Sequence, residues 1–261
     1  MNFLQVIILG IVEGITEFLP ISSTAHLEFT TRILGITQTD FIKSFLIVIQ
    51  FAAILAVVII YFKKIFASRG SFLRIVAGFI PTGIIGFILY KIIKKFLIGN
   101  EWVAIIALII GGIILLWVDK KKPEATTEHM AVSVEQLSYW QMIQLGSIQA
   151  LAVIPGISRS GAIIVGGMKL GISRELVIDA AFLLAVPTMA AAAGYDLLKS
   201  GIAFSGNEWI LLLIGSIISF ITALFTIRWL LSYIRKASFR LFGWYRIIAG
   251  IIFAAIFFFI K

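Results

Sequence analysis

Glu13-Gly-Ile-Thr-Glu17-Phe-Leu-Pro20-Ile-Ser22-Ser23-Thr24-Ala-His26 places two carboxylates, a run of hydroxyls and an imidazole inside sequence that otherwise reads as lipid-soluble. Ionisable groups at membrane depth are costly, so they are functional candidates by default. The apolar residues before this stretch, about 3–19, are barely long enough to span, and a second short helical stretch follows at about 26–34. The pattern predicts a helix that enters the membrane, breaks at Pro20 and turns back.

The rest of the chain supports a membrane setting. Hydrophobic residues make up 61% of the 261 and charged residues 13%, with a mean hydropathy of +1.08; soluble domains carry roughly a quarter charged residues. The formal charge of +9 comes mainly from Lys and Arg in short loops beside apolar segments, where they orient a membrane protein and touch anionic headgroups. Nucleic acid is therefore not expected as a partner. The absence of cysteine excludes disulfides and thiolate metal sites.

Continuous spans are expected at about 44–62, 75–92, 102–118, 176–198, 208–227 and 241–260, each near the roughly 20 residues a bilayer needs. A polar segment, 119–138, with Lys120, Lys121, Lys122, Glu124, Glu128 and Glu135, reads as an exposed connection. After it a short apolar helix, 139–154, breaks at Pro155-Gly156 and a second short helix follows at about 162–170. Proline cannot continue the hydrogen-bond ladder, and glycine admits the backbone angles a break requires.

Shifting the chain by 136 positions superimposes the two breaks. Gln5, Ile7, Leu9 and Gly10 fall on Gln141, Ile143, Leu145 and Gly146; Ile21-Ser22 falls on Ile157-Ser158; Leu34-Gly35-Ile36 falls on Leu170-Gly171-Ile172; Glu13 meets Gln149. The expected fold is all-α: a single polytopic membrane domain, 1–261, with repeat 1 at about 1–118, a cytoplasmic connection at 119–138 and repeat 2 at about 139–261. Each repeat holds one re-entrant hairpin and three spans. An odd number of crossings inverts the second repeat, so the two breaks meet near the midplane, as in other inverted-repeat architectures. Lys63, Lys64, Arg69, Arg74, Lys120, Lys121, Lys122, Lys169, Arg174, Arg228, Arg235, Lys236 and Arg240 share one side. The other side has Arg32, Lys43, Lys91, Lys94, Lys95, Lys199 and Lys261. The richer side is expected to be cytoplasmic, with both termini outside.

Glu13 and Glu17 lie one helical turn apart. Two ionised carboxylates in a low dielectric need a shared proton, a basic neighbour or a cation, and magnesium or calcium favours such oxygen ligands. The competing reading is a solvated helix face. Ser22, Ser23 and Thr24, and Ser158 and Ser160 flanking Arg159, equally describe helix caps or an anion site in which helix N-termini, hydroxyls and a planar guanidinium hold phosphate. For Arg159 the alternative is snorkelling to a headgroup. His26 is a candidate proton shuttle or nucleophile against a structural role, while His129 in the polar segment reads as solvated. Glu28, Gln50, Lys169 and Asp196 are weaker candidates, and Gly10-x-x-x-Gly14 reads as a close helix contact.

At these residues the chain resembles the bacterial undecaprenyl-diphosphate phosphatase family, also called the bacitracin-resistance family. The family's E-x-x-x-E segment with its S-S-T-x-H loop appears as Glu13 to His26, and its P-G-x-S-R-S-G loop as Pro155-Gly156-Ile-Ser158-Arg159-Ser160-Gly161. The similarity covers essentially the whole chain. One departure falls at Leu46, where members often carry an acidic residue.

The resemblance implies hydrolysis of undecaprenyl diphosphate to the monophosphate, recycling a lipid carrier for peptidoglycan and other envelope polymers. It also implies a site opening outward from the bacterial plasma membrane. Glu13 and Glu17 would bind a divalent cation, Mg or Ca, or poise a base. Arg159, Ser158 and Ser160 would hold the diphosphate, with Ser22, Thr24 and Gly156 beside them. His26 and Ser23 would be nucleophile and base in either order. The partners expected are the polyprenyl diphosphate lipid and the bilayer, with a second copy of the chain retained as a candidate. A competing class is a lipid-phosphate transporter or flippase, because broken helices and inverted repeats also build carriers.

Overall fold

A computed structural model describes residues 1–261 except 67, 97–99, 119–132, 201–203, 235–236 and 260–261, and leaves aside the side chains of 90–96 and 199–200. Most of the expected polar connection and His129 lie outside these residues, as do the side chains of Lys91, Lys94, Lys95, Lys120, Lys121, Lys122, Lys199, Arg235, Lys236 and Lys261.

All regular structure among the described residues is helical. In chain order it comprises α1 (Phe3–Thr16), α2 (Ser23–Ile33), α3 (Asp40–Ile65), α4 (Arg69–Phe96), α5 (Glu101–Val118), α6 (Tyr139–Gln149), α7 (Arg159–Lys169), α8 (Arg174–Ser200), α9 (Gly206–Ile234) and α10 (Arg240–Phe259). The six helices α3, α4, α5, α8, α9 and α10 are long and apolar enough to cross a membrane, and they fall on the six expected spans. The short helices differ from expectation at their inner ends: α2 and α7 begin at Ser23 and Arg159, about three residues early, and α6 ends at Gln149 in a 3-10 turn, Ala150–Val153. The early starts arise because Ser22 and Ser158, rather than later residues, occupy the N-cap position.

The two helix pairs α1–α2 and α6–α7 are built from the same local devices. Each opens on a capping box, in which the cap side chain and a glutamine three residues on satisfy each other's backbone. Asn2 pairs with Gln5 at 2.9 Å in both directions, and Ser138 pairs with Gln141 at 2.9 and 3.1 Å. At the breaks Ser22 and Ser158 adopt φ of 70° and 68°, a left-handed conformation that costs a non-glycine residue on the order of 1–3 kcal/mol. After α2 and α7, Gly35 and Gly171 take φ of 62° and 76°, and the amides of Ile36 and Ile172 bond back to Thr31 and Gly167 at 2.9 and 3.0 Å. These are glycine C-caps that stop a helix cleanly.

Packing between the halves is reciprocal. Helix α1 lies on α9 while α6 lies on α4, α3 meets α8, and α5 meets α10. Glycine sets the closest approaches: a Cβ on Gly10 would come within 3.0 Å of the Gly215 carbonyl, and one on Gly146 within 1.7 Å of the Gly78 carbonyl. Gly14 is equally confined, with the Ser219 carbonyl 2.6 Å from its Cβ position, so Gly10-x-x-x-Gly14 is a helix contact as expected. The main core forms where Phe18, Leu19 and Ile21 of the first break pack among buried α8 residues, with Phe18 edge-on to Phe182 at 5.4 Å. This packing holds the first break against α8 and beside the second.

Candidate active site

The two breaks meet. Arg159, the first residue of α7, donates through Nη2 to Glu17 Oε1 at 2.9 Å, an ion pair between side chains that are 10% and 5% exposed and 142 positions apart. Its Nη1 donates to the Ala181 carbonyl at 3.3 Å, which fixes the guanidinium plane. Ser23 Oγ donates to the other Glu17 oxygen at 2.5 Å. Glu17 therefore joins a hydroxyl of the first break to a cation of the second.

These groups border a cavity of about 340 Å³. Glu17, Ser22, Ser23, Thr24, Gly156, Ser158 and Arg159 line one part of it, and Gln50, Thr82, Gln149 and Thr188 another. The first turns of α2 and α7 open here, and first-turn amides lack partners within their own helix. At α7 one of them, Gly161 N–H, donates to Ser158 Oγ at 3.2 Å. Ser160 Oγ donates to the Leu19 carbonyl at 3.0 Å, which leaves Ser158 as donor in the 3.2 Å contact between the two hydroxyls. Ser160 therefore ties the second break to the first, while Ser158 caps α7.

Glu13 is fully buried, its carboxyl abuts that of Glu17, and neither of its oxygens receives a hydrogen bond. An orphaned buried carboxyl next to another carboxylate is the oxygen chemistry a hard cation such as magnesium takes, although of the two only Glu17 lines the cavity. The donor set goes no further: among the described residues no three His, Cys, Asp or Glu side chains come together as a metal cage.

His26 is placed differently from its neighbours in sequence. Its Nδ1 lies 2.7 Å from the Ser22 carbonyl, which can only accept, so Nδ1 carries the hydrogen, and in the neutral ring Nε2 accepts from Tyr245 Oη at 2.8 Å. The imidazole stacks on Tyr245 and meets Phe253 edge-on, both at 5.6 Å, and it does not line the cavity. Of the weaker candidates, Gln50 lines the cavity. Lys169 lies over the Trp117 ring at 4.4 Å, and Asp196 accepts from Ser44 at 3.2 Å. Leu46 packs with the cluster around Val6, Leu9 and Phe45.

Sequence reasoning missed Arg246. Only 1% exposed, it donates five hydrogen bonds at 2.8–3.1 Å, to the carbonyls of Pro20, Ala107, Leu108, Gly156 and Ile157. A single guanidinium from α10 thereby binds backbone of both breaks and of α5, satisfying carbonyls that could not survive bare in a membrane interior. Its signal was present: a cation six residues inside an apolar span is a functional candidate for the reason given for Glu13.

Also missed was a neutral polar relay. Thr82 Oγ1 donates to the Gly146 carbonyl and Thr188 Oγ1 to the Leu184 carbonyl, both at 2.7 Å. Their oxygens can then only accept, so it is the Gln149 amide nitrogen that faces both, at 2.9 Å.

A buried guanidinium–carboxylate pair, a hydroxyl held by that carboxylate and two helix N-termini on one cavity are chemically suited to a phosphorylated ligand. The chain belongs to the bacitracin resistance protein BacA family, whose model matches residues 6–252. Among curated relatives, undecaprenyl-diphosphatase of Aquifex aeolicus is 51% identical over 255 residues, 98% of each chain. The protein of that name from Sulfurihydrogenibium is 46% identical, covering 97% of this chain and 98% of its own. The one from Thermus thermophilus is 42% identical, covering 98% and 97%.

Proposed function

We propose that this chain is an integral-membrane phosphatase that hydrolyses undecaprenyl diphosphate to undecaprenyl phosphate and inorganic phosphate, returning a lipid carrier to envelope synthesis. Membership of the family and relatives named for this activity along their whole length support the assignment. The observation that carries it is the Glu17–Arg159 pair, which unites both polar motifs on one cavity. The transporter reading is not favoured, since a carrier has no need of a hydroxyl held 2.5 Å from a carboxylate beside a phosphate-binding guanidinium.

In the mechanism we infer, the terminal phosphate enters the cavity against Arg159 and the amides of the first turns of α2 and α7. Ser23 Oγ attacks phosphorus as its proton passes to Glu17 Oε2. The bond to the bridging oxygen breaks, and undecaprenyl phosphate leaves with that oxygen. Water then attacks the phosphoseryl group, releasing phosphate and restoring the Ser23 hydroxyl. His26 supports this geometry through the Ser22 carbonyl rather than as the attacking group. A divalent cation would be held by Glu17, which lines the cavity, with the unclaimed Glu13 carboxyl behind it; when bound it would supply charge neutralisation at the phosphates.

We read the architecture as two inverted repeats, 1–118 and 139–261, each with a re-entrant hairpin, in a single membrane domain. The shared capping boxes, left-handed serines and glycine caps at an offset of 136, together with the reciprocal packing, support this reading. Contacts between helix ends fit it as well. Arg32 pairs with Glu101 at 2.8 Å, and Ser44 bonds Asp196, at the end read as external. Lys64 pairs with Asp179 and Ser68 with Glu135 at the end read as cytoplasmic.

The test is phosphate release by purified protein given undecaprenyl diphosphate and magnesium. Arg159→Ala is expected to lower kcat/KM by about 100- to 1,000-fold, the scale of losing one preorganised charge donor. Unchanged turnover in that variant, or in Ser23→Ala, would remove the proposed site.

A further inference from the structure

Beside the polar cavity runs an apolar groove of about 450 Å³, walled by Ile106, Ile110 and Ile114 of α5, by Val165 of α7 and by Leu151 before the second break. Ile106 and Ile110 are 52% and 51% exposed, so the groove is open along its flank. Ile154 lines both this groove and the polar cavity. Just beyond it Pro155 and Gly156 face the cavity while Ile157 faces the groove, so the stretch 154–157 borders both spaces.

Arg246 reaches the groove floor, but its donors are directed to five backbone carbonyls. Although a cation underlies it, the groove therefore presents no free charged donor to a phosphate. The polar cavity has the opposite character, with Glu17, Arg159 and hydroxyls that an isoprene unit would desolvate without replacing their hydrogen bonds. An amphipathic substrate whose head and tail are covalently joined needs two such spaces in contact.

We propose that this groove is the subsite for the hydrocarbon tail of the substrate: the isoprene units nearest the diphosphate lie along α5 and α7 and pass into the polar cavity at Ile154. The assignment rests on the reading of the substrate as a polyprenyl diphosphate. It makes the groove, rather than the polar residues, the source of preference for a long apolar chain over a short one.

The experiment fills the groove from each wall with Ile110→Trp and Val165→Trp and measures hydrolysis of undecaprenyl diphosphate and of isopentenyl diphosphate, which carries a single five-carbon unit. A tenfold or greater loss in kcat/KM on the long substrate, carried by KM, with less than a twofold change on the short one is expected. Equal losses on both substrates, or none on either, would overturn the groove while leaving the phosphatase reading intact. Failure of the unaltered protein to hydrolyse either would instead remove that reading. An independent arm uses unaltered protein and an undecaprenyl diphosphate analogue bearing a photoreactive diazirine in its second isoprene unit. Label on α5 and α7 groove residues, displaced by undecaprenyl diphosphate and not by bilayer phospholipid, is expected. Label elsewhere, or equal displacement by phospholipid, would overturn the proposal even if the tryptophan variants fail to fold.

Discussion

Arg246 and Gln149 carry structural demands set by partners distant in sequence. Replacing the guanidinium by an apolar chain of similar length, Arg246→Met, leaves the Pro20, Gly156 and Ile157 carbonyls of the two breaks without this donor, whereas Ala107 and Leu108 keep their partners within α5. With each orphaned buried group costing about 1–3 kcal/mol, the loss of stability is expected to exceed about 3 kcal/mol, read as a lowered unfolding midpoint in detergent. At Gln149 the argument concerns direction. Both threonines facing its amide nitrogen have their hydrogens committed elsewhere, so Gln149→Glu sets oxygen against oxygen. A destabilisation of about 1–3 kcal/mol is expected by the same measurement.

At the scale of elements, helix contacts and turns make different demands on glycine. A Cβ on Gly146 would sit 1.7 Å from the Gly78 carbonyl, whereas one on Gly35 meets nothing within 4 Å and faces only the strain of φ +62°. Gly146→Ala should therefore separate α4 from α6 and abolish folding or activity, while Gly35→Ala should cost about 1 kcal/mol, as equilibrium unfolding of the two variants would show. Near the polar connection, the hydrogen bond from Ser68 holds the Glu135 carboxyl below the usual carboxylate range. A depressed folded-state pKa contributes stability that is complete above the ordinary value, about 4.3, and is lost as pH falls through the folded one. Glu135→Gln should flatten that acid-side decline in a pH series of unfolding midpoints, and an unchanged slope would count against the contact.

For the whole molecule, the inverted arrangement we propose predicts on which side each loop lies. The chain has no cysteine, so single cysteines can be placed without background. Asn100→Cys, between α4 and α5, should react with a membrane-impermeant maleimide on intact cells, and Ser68→Cys, between α3 and α4, only after permeabilisation. The reverse pattern would invert the orientation, and labelling of both from outside would dissolve it.

Hydrophobic run length is a local property, and a bilayer reads it locally. Thus the six long helices, the two broken ones and the polar motifs from Glu13 to His26 and from Pro155 to Gly161 were legible in the chain itself. The Gly and Ser positions 136 apart, from which we infer a duplication, were legible there too, and Ser22 and Ser158, Gly35 and Gly171 take matching backbone angles. Which polar groups face one another depends on how helices distant in sequence cross, and no periodicity encodes that. Only the tertiary structure decided that Glu17 meets Arg159, that His26 turns away to Tyr245, and that Arg246 ties both breaks to α5. The physical reason is that the membrane selects segments for their own apolarity, while a buried charge is satisfied by whichever partner the packing brings within hydrogen-bond reach.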